Sequence, residues 1–209
     1  MNKIIDRRKF TLEKYEEFLQ SISKYKVLPL NEFRNYHNDK EVVIGLRHDS
    51  DENWPATMNM LQVEFQHNIR STVFVLHSSM YFSEPTFIRD LHKAQSGNFE
   101  IALHNDCMTY LGPKGMMHQS LKKLRDAGLI ITGTSAHGDK KHKNIHFWEQ
   151  FNKADFGIEY ESYELDHNLY FSDCTFINGH RWHPDMIDWN EINPGSRIQV
   201  LIHPEHFHI

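Results

Sequence analysis

Two aspartates with one residue between them, Asp49 and Asp51, give the first indication of chemistry in this sequence. They follow apolar and β-branched residues at positions 42–46, and this run predicts a buried strand. Because side chains alternate along a strand, both carboxylates should project to the same side at its carboxyl end. Carboxylates held close together repel, so the pair favours a bound cation or a shared proton. The alternative is that Asp51 caps a helix that begins near Pro55.

Histidine is unusually frequent, with 16 among 209 residues. It is the commonest metal ligand and a general acid or base near neutral pH. The histidines at predicted strand ends carry most weight, and they are His77, His104, His137 and His203. One aspartate and two histidines around a borderline metal, with a position left open, are typical of a catalytic site rather than a structural one.

We therefore predict a divalent metal site with Asp51, His104 and His137 as its ligands. Such a metal can lower the pKa of bound water to about 7 and polarise a carbonyl oxygen. A second carboxylate, Asp49, is then the candidate base that takes the proton of the water. His203 is the candidate acid that protonates the leaving group.

Helical and strand patterns alternate along the chain and indicate how these residues are positioned. Apolar spacing predicts helices over 11–24, 55–67, 84–95 and 115–127, and strands over 42–49, 71–77, 99–104, 130–136, 169–172 and 198–203. Between residues 139 and 168 the pattern is unclear, apart from a candidate helix over 145–151. Strands separated by helices predict an α/β fold with a largely parallel sheet or a (β/α) barrel. In both arrangements, functional groups collect beyond the carboxyl ends of the strands.

Length, charge and cysteine content limit the class of protein. A chain of 209 residues predicts a single domain over 1–209, and a net charge of −5 argues against a nucleic-acid partner. The two cysteines, Cys107 and Cys174, form no disulfide framework, which favours a reducing compartment. No apolar run approaches the roughly 18 residues that span a bilayer, and the first residues lack a secretory apolar core. We therefore expect a cytoplasmic protein without a membrane span; the sequence does not indicate its oligomeric state.

The segment Leu46-Arg47-His48-Asp49-Ser50-Asp51 resembles the Leu-Arg-His-Asp-Val-Asp signature of a divergent branch of the polysaccharide deacetylase superfamily. Other segments resemble motifs of this branch in the same order along the chain: 68–74, 100–104, 135–138, 170–173 followed by 181–182, and 201–207. The resemblance implies a distorted (β/α) barrel and a divalent metal, usually zinc. It also implies removal of acetyl groups from N-acetylated sugars, often in surface-polysaccharide or lipopolysaccharide biosynthesis.

This sequence departs from the pattern of the main family at two ligand positions. The main family carries adjacent aspartates, whereas Ser50 intervenes here, so either Asp49 or Asp51 could hold the metal. The main family also takes two ligands from a His-x-x-x-His pair, and Met108 stands where the second histidine is expected. The third ligand must therefore come from elsewhere, and His137 is preferred. Asp106 is the second choice and is otherwise an ordinary loop cap.

Substrate contacts are predicted for five residues, Arg47, His77, Asp173, Arg181 and Trp182. Arg47 or Arg181 would support the base electrostatically, and Trp182 would form a wall for an acetyl methyl group or a sugar ring. The alternative for His77 is packing against aromatic neighbours.

Two other functions stay open at this stage. One is a carbohydrate-binding or assembly protein that kept the fold and lost activity, which the broken His-x-x-x-His pair favours. The other is hydrolysis of a different C–N or ester bond, because a fold does not determine its substrate.

Overall fold

The computed structural model describes residues 10–138, 141–174, 176–177, 180–181 and 186–207. For 176–177 and 180–181 it describes the backbone alone. The helices are α1 Leu12–Ile22, α2 Leu30–Phe33, α3 Trp54–Gln66, α4 Phe87–Ser96, α5 Pro113–Asp126 and α6 Phe147–Gln150. The strands are β1 Lys26–Leu28, β2 Val43–Ser50, β3 Thr72–Leu76, β4 Glu100–Asn105, β5 Gly133–Ala136, β6 Tyr160–Glu161, β7 Leu169–Ser172, β8 Phe176–Ile177, β9 His180–Arg181 and β10 Arg197–Ile202. No helix within the described ranges has both the length and the apolar character needed to cross a bilayer.

Eight of these strands form one sheet in which every pairing is parallel. Its order is β6-β5-β4-β3-β2-β10-β7, and β1 pairs with the first residues of β2. Strands β8 and β9 form a separate antiparallel pair. Parallel pairing places the carboxyl ends of β2, β4, β5, β7 and β10 at the same edge of the sheet. The predicted α/β fold with a largely parallel sheet is confirmed.

The two faces of β2 pack against different layers. On the outer face, Ile44 and Leu46 lie in an apolar cluster with residues of α1 and α3. On the inner face, Gly45 lies against Leu30 and Phe33 of α2, which close the amino-terminal end of the sheet. The alternation of side chains along a strand therefore directs the odd-numbered residues of β2 inward.

Contacts across the interior show how strongly the sheet curls. Arg47 of β2 donates a hydrogen bond to the hydroxyl of Ser162, which directly follows β6 at the edge of the sheet. Gln199 of β10 donates to the carbonyl oxygen of the same serine at 3.0 Å. Residues from the edge and the centre of the sheet thus meet in one interior. The predicted barrel is confirmed in an open, distorted form.

A buried polar cluster ties the outer face of β2 to the helices. The His48 ring and the Tyr15 hydroxyl both bond one carboxylate oxygen of Glu64, and the Ser71 hydroxyl donates to the other at 2.6 Å. All four side chains lie out of contact with solvent. Because buried polar groups need hydrogen-bond partners, this cluster sets how α1 and α3 lie against the strand that carries Asp49.

Several short elements were not predicted. Strands β1 and β6 and helix α2 contain too few residues to show a period, so the sequence patterns over 24–41 and 139–168 could not reveal them. Helix α5 begins at Pro113 rather than at Gly115, because the fixed φ of proline suits the first turn of a helix. Strand β5 begins at Gly133 rather than at Ile130.

Gly133 is expected to tolerate no side chain. A Cβ atom there would lie 2.3 Å from the Tyr160 ring, whose hydroxyl donates to buried Glu100. Gly133→Ala should lower the free energy of unfolding by about 1–3 kcal/mol, measured by urea denaturation. Gly115→Ala is the matched control, because a Cβ atom in that helix meets nothing within 4 Å. It should be neutral or stabilising. Equal stability of the two variants would contradict this packing.

Candidate metal centre and active site

A cavity of about 370 Å³ opens at the carboxyl edge of the sheet. We call it the site cavity, and its lining residues are Asp49, Asp51, His104, His137, Gly138, Tyr163, Tyr170, Ser172, Cys174, Leu201 and His203. A larger groove of about 530 Å³ lies between α3 and the end of α4, and its lining residues are Met58, Asn59, Leu61, Gln62, Phe65, Lys93, Ala94, Ser96, Gly97 and Phe99. Among its described lining residues there is no carboxylate and no imidazole, so the chemistry belongs to the smaller site cavity.

The three predicted metal ligands lie together in the site cavity. Ligand atoms of Asp51, His104 and His137 all fall within 4.8 Å of one another. The Nε2 atom of His104 is 3.3 Å from Asp51 Oδ1, and the Nε2 atom of His137 is 3.8 Å from Asp51 Oδ2. One carboxylate thus stands between two imidazoles that come from different strand ends. The donor set fits a divalent cation of the zinc type.

Asp51 does not cap the following helix. Helix α3 is capped by Asn53, whose side-chain oxygen accepts from the amide of Ala56 at 3.1 Å. Asp51 Oδ1 is buried and has no hydrogen-bond partner within the described part of the chain. A buried carboxylate oxygen without a partner is costly, and a bound cation would remove this cost.

The orientation of His104 leaves one ring nitrogen available for a metal. Its Nδ1 atom donates to the carbonyl oxygen of Ser135 at 2.9 Å, so Nε2 faces Asp51. A second hydrogen bond of this kind typically fixes the tautomer of a metal-binding histidine. Burial disfavours the charged ring, yet the carboxylates of Asp49 and Asp51 raise the pKa of His104 above its ordinary value. The surroundings of Nε2 therefore attract positive charge.

His137 lies between the carboxylates of Asp106 and Asp51. The Nδ1 atom of His137 is 3.5 Å from Asp106 Oδ1, while its Nε2 atom faces Asp51. Asp106 also accepts hydrogen bonds from the Ser78 hydroxyl at 2.8 Å and from the Asn144 amide at 3.1 Å. Burial alone would raise the pKa of Asp106, but the nearby His137 ring and the hydrogen bond from Ser78 lower it. This geometry favours His137 as the third ligand and Asp106 as its positioning partner.

The substitution Asp106→Asn should weaken metal binding without abolishing it. Losing the partner that orients a ligating histidine typically costs about 10–100-fold in metal affinity. Titration against a competing chelator measures this change. The control is Asp126→Asn, which removes an exposed carboxylate paired with Lys122. Complete loss of metal from Asp106→Asn would instead identify Asp106 as a ligand.

Asp49 lies beside the candidate metal ligands with one oxygen unpaired. Its Oδ2 atom accepts from Arg47 Nη2 at 3.1 Å and lies 3.5 Å from His104 Nε2. Its Oδ1 atom is buried and, among the described residues, has no hydrogen-bond partner. Arg47 is fully buried behind Asp49 and is not part of the cavity lining. Its position therefore favours support of the candidate base over direct contact with a substrate.

His203 and Asp173 form a buried pair where the neighbouring strands β10 and β7 end. Asp173 accepts from His203 Nδ1 at 2.6 Å and from the His203 amide at 2.7 Å, and His206 Nδ1 also bonds it at 2.8 Å. Burial disfavours the charged imidazole, but the Asp173 carboxylate raises the pKa of His203 well above its ordinary value. This pairing favours the protonated form of His203. Asp173 does not line the cavity, so its position favours pairing with His203 over substrate contact.

Replacing Asp173 by asparagine should move the alkaline limb of the pH–rate profile to lower pH. The candidate acid works only while protonated, and the Asp173 carboxylate raises its pKa above the ordinary value of a histidine. The stability of the fold should depend on pH in the same direction. The charged pair stabilises the folded protein below the unfolded pKa of His203, and this stabilisation is lost as pH rises through the folded pKa. The limb is measured with kcat/KM from pH 5 to 10. An unmoved limb would contradict the pairing.

The remaining predicted substrate contacts have other positions. His77 Nε2 accepts from the Asp106 amide at 3.1 Å, and burial lowers the pKa of His77 to about 4. The described lining of the site cavity does not include His77, so its contacts favour packing. Met108 packs against the apolar core and cannot replace the missing histidine. Trp182 and the side chain of Arg181 lie outside the described residues.

Two kinds of residue near the site were not predicted. Tyr163 and Tyr170 line the cavity, and the only sequence signal for Tyr163 was the acidic and aromatic segment 159–164, which has no period. Glu205 follows the candidate acid by two residues, and its buried Oε2 atom has no hydrogen-bond partner in the described ranges. Burial and the nearby Asp51 carboxylate raise the pKa of Glu205 to about 7.

Comparison with known proteins gives solved structures of low similarity. The chain is similar to a family 4 carbohydrate esterase from Bacillus anthracis, with 16% identity and a TM-score of 0.42 over 89% of this chain and 75% of the other. It is also similar to the peptidoglycan deacetylase PdaC from Bacillus subtilis, with 17% identity and a TM-score of 0.42 over 80% of this chain and 76% of the other. No family model and no curated protein matches the sequence.

Proposed function

We propose that this protein is a metal-dependent hydrolase that removes the acetyl group from an N-acetylated sugar. The observation that carries the proposal is the convergence of Asp51, His104 and His137 in one cavity that Asp49 and His203 also line. This set contains ligands, a carboxylate base and a protonated imidazole, which are the groups that metal-assisted amide hydrolysis needs.

The ligand set favours zinc among divalent metals. Two imidazole nitrogens and one carboxylate oxygen, with a position left open, are typical of catalytic zinc sites. When bound there, the metal would act as a Lewis acid that lowers the pKa of water and polarises the amide carbonyl. His104 and His137 would bind through Nε2, because their Nδ1 atoms face Ser135 and Asp106.

The other side chains would move protons during hydrolysis. Asp49 takes a proton from the water that adds to the carbonyl carbon, and Arg47 holds Asp49 in place through its 3.1 Å contact. His203 donates a proton from Nε2 to the departing nitrogen as the C–N bond breaks, which yields acetate and a free amine. Asp173 keeps His203 protonated before this step.

The cellular setting follows from the motif resemblance. Surface-polysaccharide or lipopolysaccharide biosynthesis is the proposed context, and a cytoplasmic location is the matching proposal. An N-acetylated sugar or oligosaccharide is the proposed substrate, with no nucleic-acid partner.

Metal analysis combined with acetate release tests this proposal. We expect about one divalent ion per chain and release of acetate from N-acetylglucosamine oligomers. A chelator should abolish both, and added zinc should restore both. A chain without bound metal would contradict the metal site. Bound metal with sugar binding, but no turnover on any acetylated sugar, would favour the carbohydrate-binding alternative.

A further inference from the structure

Two tyrosines form an exposed aromatic wall of the site cavity. Tyr163 is 40% exposed and Tyr170 is 37% exposed, and both line the cavity that contains Asp49. Their ring centroids are 6.4 Å apart and the rings are inclined by 52°. Large aromatic rings that stay exposed beside a polar site are typical of ligand contacts, because their burial by a ligand is favourable.

The two rings are held in place from behind. The guanidinium carbon of Arg47 lies 4.8 Å from the Tyr163 ring centroid, and the same guanidinium bonds Asp49. The His167 ring lies 5.7 Å from the Tyr170 ring. Burial raises the pKa of the Tyr170 hydroxyl. Rings that are already oriented lose little freedom when a ligand binds.

The spacing of the rings determines where a ligand can lie. A ligand between the two rings would need carbon contacts of about 3.5–4.0 Å on each side, and therefore a gap of about 7–8 Å between the rings. The 6.4 Å between the centroids is too short, so a flat ligand lies across the outer ring faces rather than between them. Arg47 contacts both the Tyr163 ring and Asp49, so this ring lies near the candidate base.

We propose that Tyr163 and Tyr170 form the subsite that binds the pyranose ring of the acetylated sugar, with the C–H face of that ring against the aromatic wall. The proposal rests on the proposed function, because the sugar is the substrate of that reaction. Stacking on aromatic rings makes the enzyme prefer an acetamide carried on a sugar ring to an acyclic acetamide. The two tyrosines therefore determine specificity and take no part in proton transfer.

The test compares a sugar substrate with one that has no ring. Acetate release is measured from N-acetylglucosamine oligomers and from N-acetylethanolamine, for wild type, Tyr163→Ala, Tyr170→Ala and the corresponding phenylalanine variants. Each alanine variant should lower kcat/KM for the sugar about twofold to tenfold more than kcat/KM for the acyclic substrate. The phenylalanine variants keep the ring and should retain the preference. Phe65→Ala is the control, since Phe65 is exposed, contacts Arg70 and lies outside the site cavity.

A binding measurement separates this inference from the proposed function. The affinity of Asp49→Asn for the same oligomers is measured with and without each tyrosine substitution. Weaker binding in the alanine variants supports the subsite even if the wild type releases no acetate, which would overturn only the deacetylase proposal. Active wild type whose sugar preference survives both alanine substitutions would overturn the subsite alone. Equal losses on both substrates, or no binding of the oligomers, would also overturn the subsite.

Discussion

Replacing Asp49 by asparagine should lower kcat by about 10²–10⁴-fold and leave the metal content of the purified protein unchanged. The carboxylate is the candidate base and lines the site cavity. Its buried Oδ1 atom has no hydrogen-bond partner among the described residues. Asparagine has nearly the same shape and keeps an oxygen that can accept from Arg47, but it cannot take a proton. Acetate release and elemental analysis measure the two quantities on the same sample.

Asp51→Asn is the matched variant, and it should give the opposite pattern. Losing a direct ligand should release most of the metal, and activity should fall because of that loss. If Asp49→Asn loses the metal and Asp51→Asn keeps it, the two carboxylates have exchanged roles. Asp49→Asn also leaves a buried guanidinium without its counter-charge, which can cost about 3–5 kcal/mol of stability. Asp49→Glu keeps the charge and therefore serves as a second variant if the first does not fold.

Replacing His203 by glutamine should lower kcat on an N-acetylated sugar by about 10²–10⁴-fold, while an activated ester is nearly unaffected. A departing amine needs a proton, whereas nitrophenolate leaves without one. The paired assay uses N-acetylglucosamine oligomers and p-nitrophenyl acetate with the same enzyme preparation. The ratio of the two losses isolates proton donation from damage to the rest of the site.

The control for His203 is its neighbour His206, which bonds the same carboxylate of Asp173. His206→Gln should have a much smaller effect, because His203 lines the site cavity and His206 does not. Equal losses on the amide and the ester for His203→Gln would mean that this residue positions the site rather than donating a proton. Metal content should stay unchanged in both variants.

Much of the architecture was predictable from local patterns. Apolar runs and helical spacing predicted the helices α1, α3, α4 and α5 and the strands β2 to β5, β7 and β10. The position of Asp and His at strand ends then indicated one shared edge, because parallel strands have their carboxyl ends on the same side. The same reasoning could not detect β1 or β6, because these strands are too short to show an alternating pattern of apolar and polar residues.

Contacts between distant segments bear on the choice between candidate ligands. The sequence left Asp106 and His137 as alternatives, and Asp106 accepts hydrogen bonds from Ser78 and Asn144, which favours His137 as the ligand. Similarly, Asn53 caps α3, which leaves Asp51 directed toward the two histidines.

The sequence by itself determined which residue types arrive at the edge of the sheet, since strand alternation and parallel pairing are local rules. Only the tertiary structure decided that Arg47 and Asp173 lie behind Asp49 and His203 instead of facing the cavity. It also brought Tyr163 and Tyr170 to the cavity wall. The physical reason is that the direction of a side chain in a loop, and the partner of a buried charge, depend on packing between segments that are far apart in the chain.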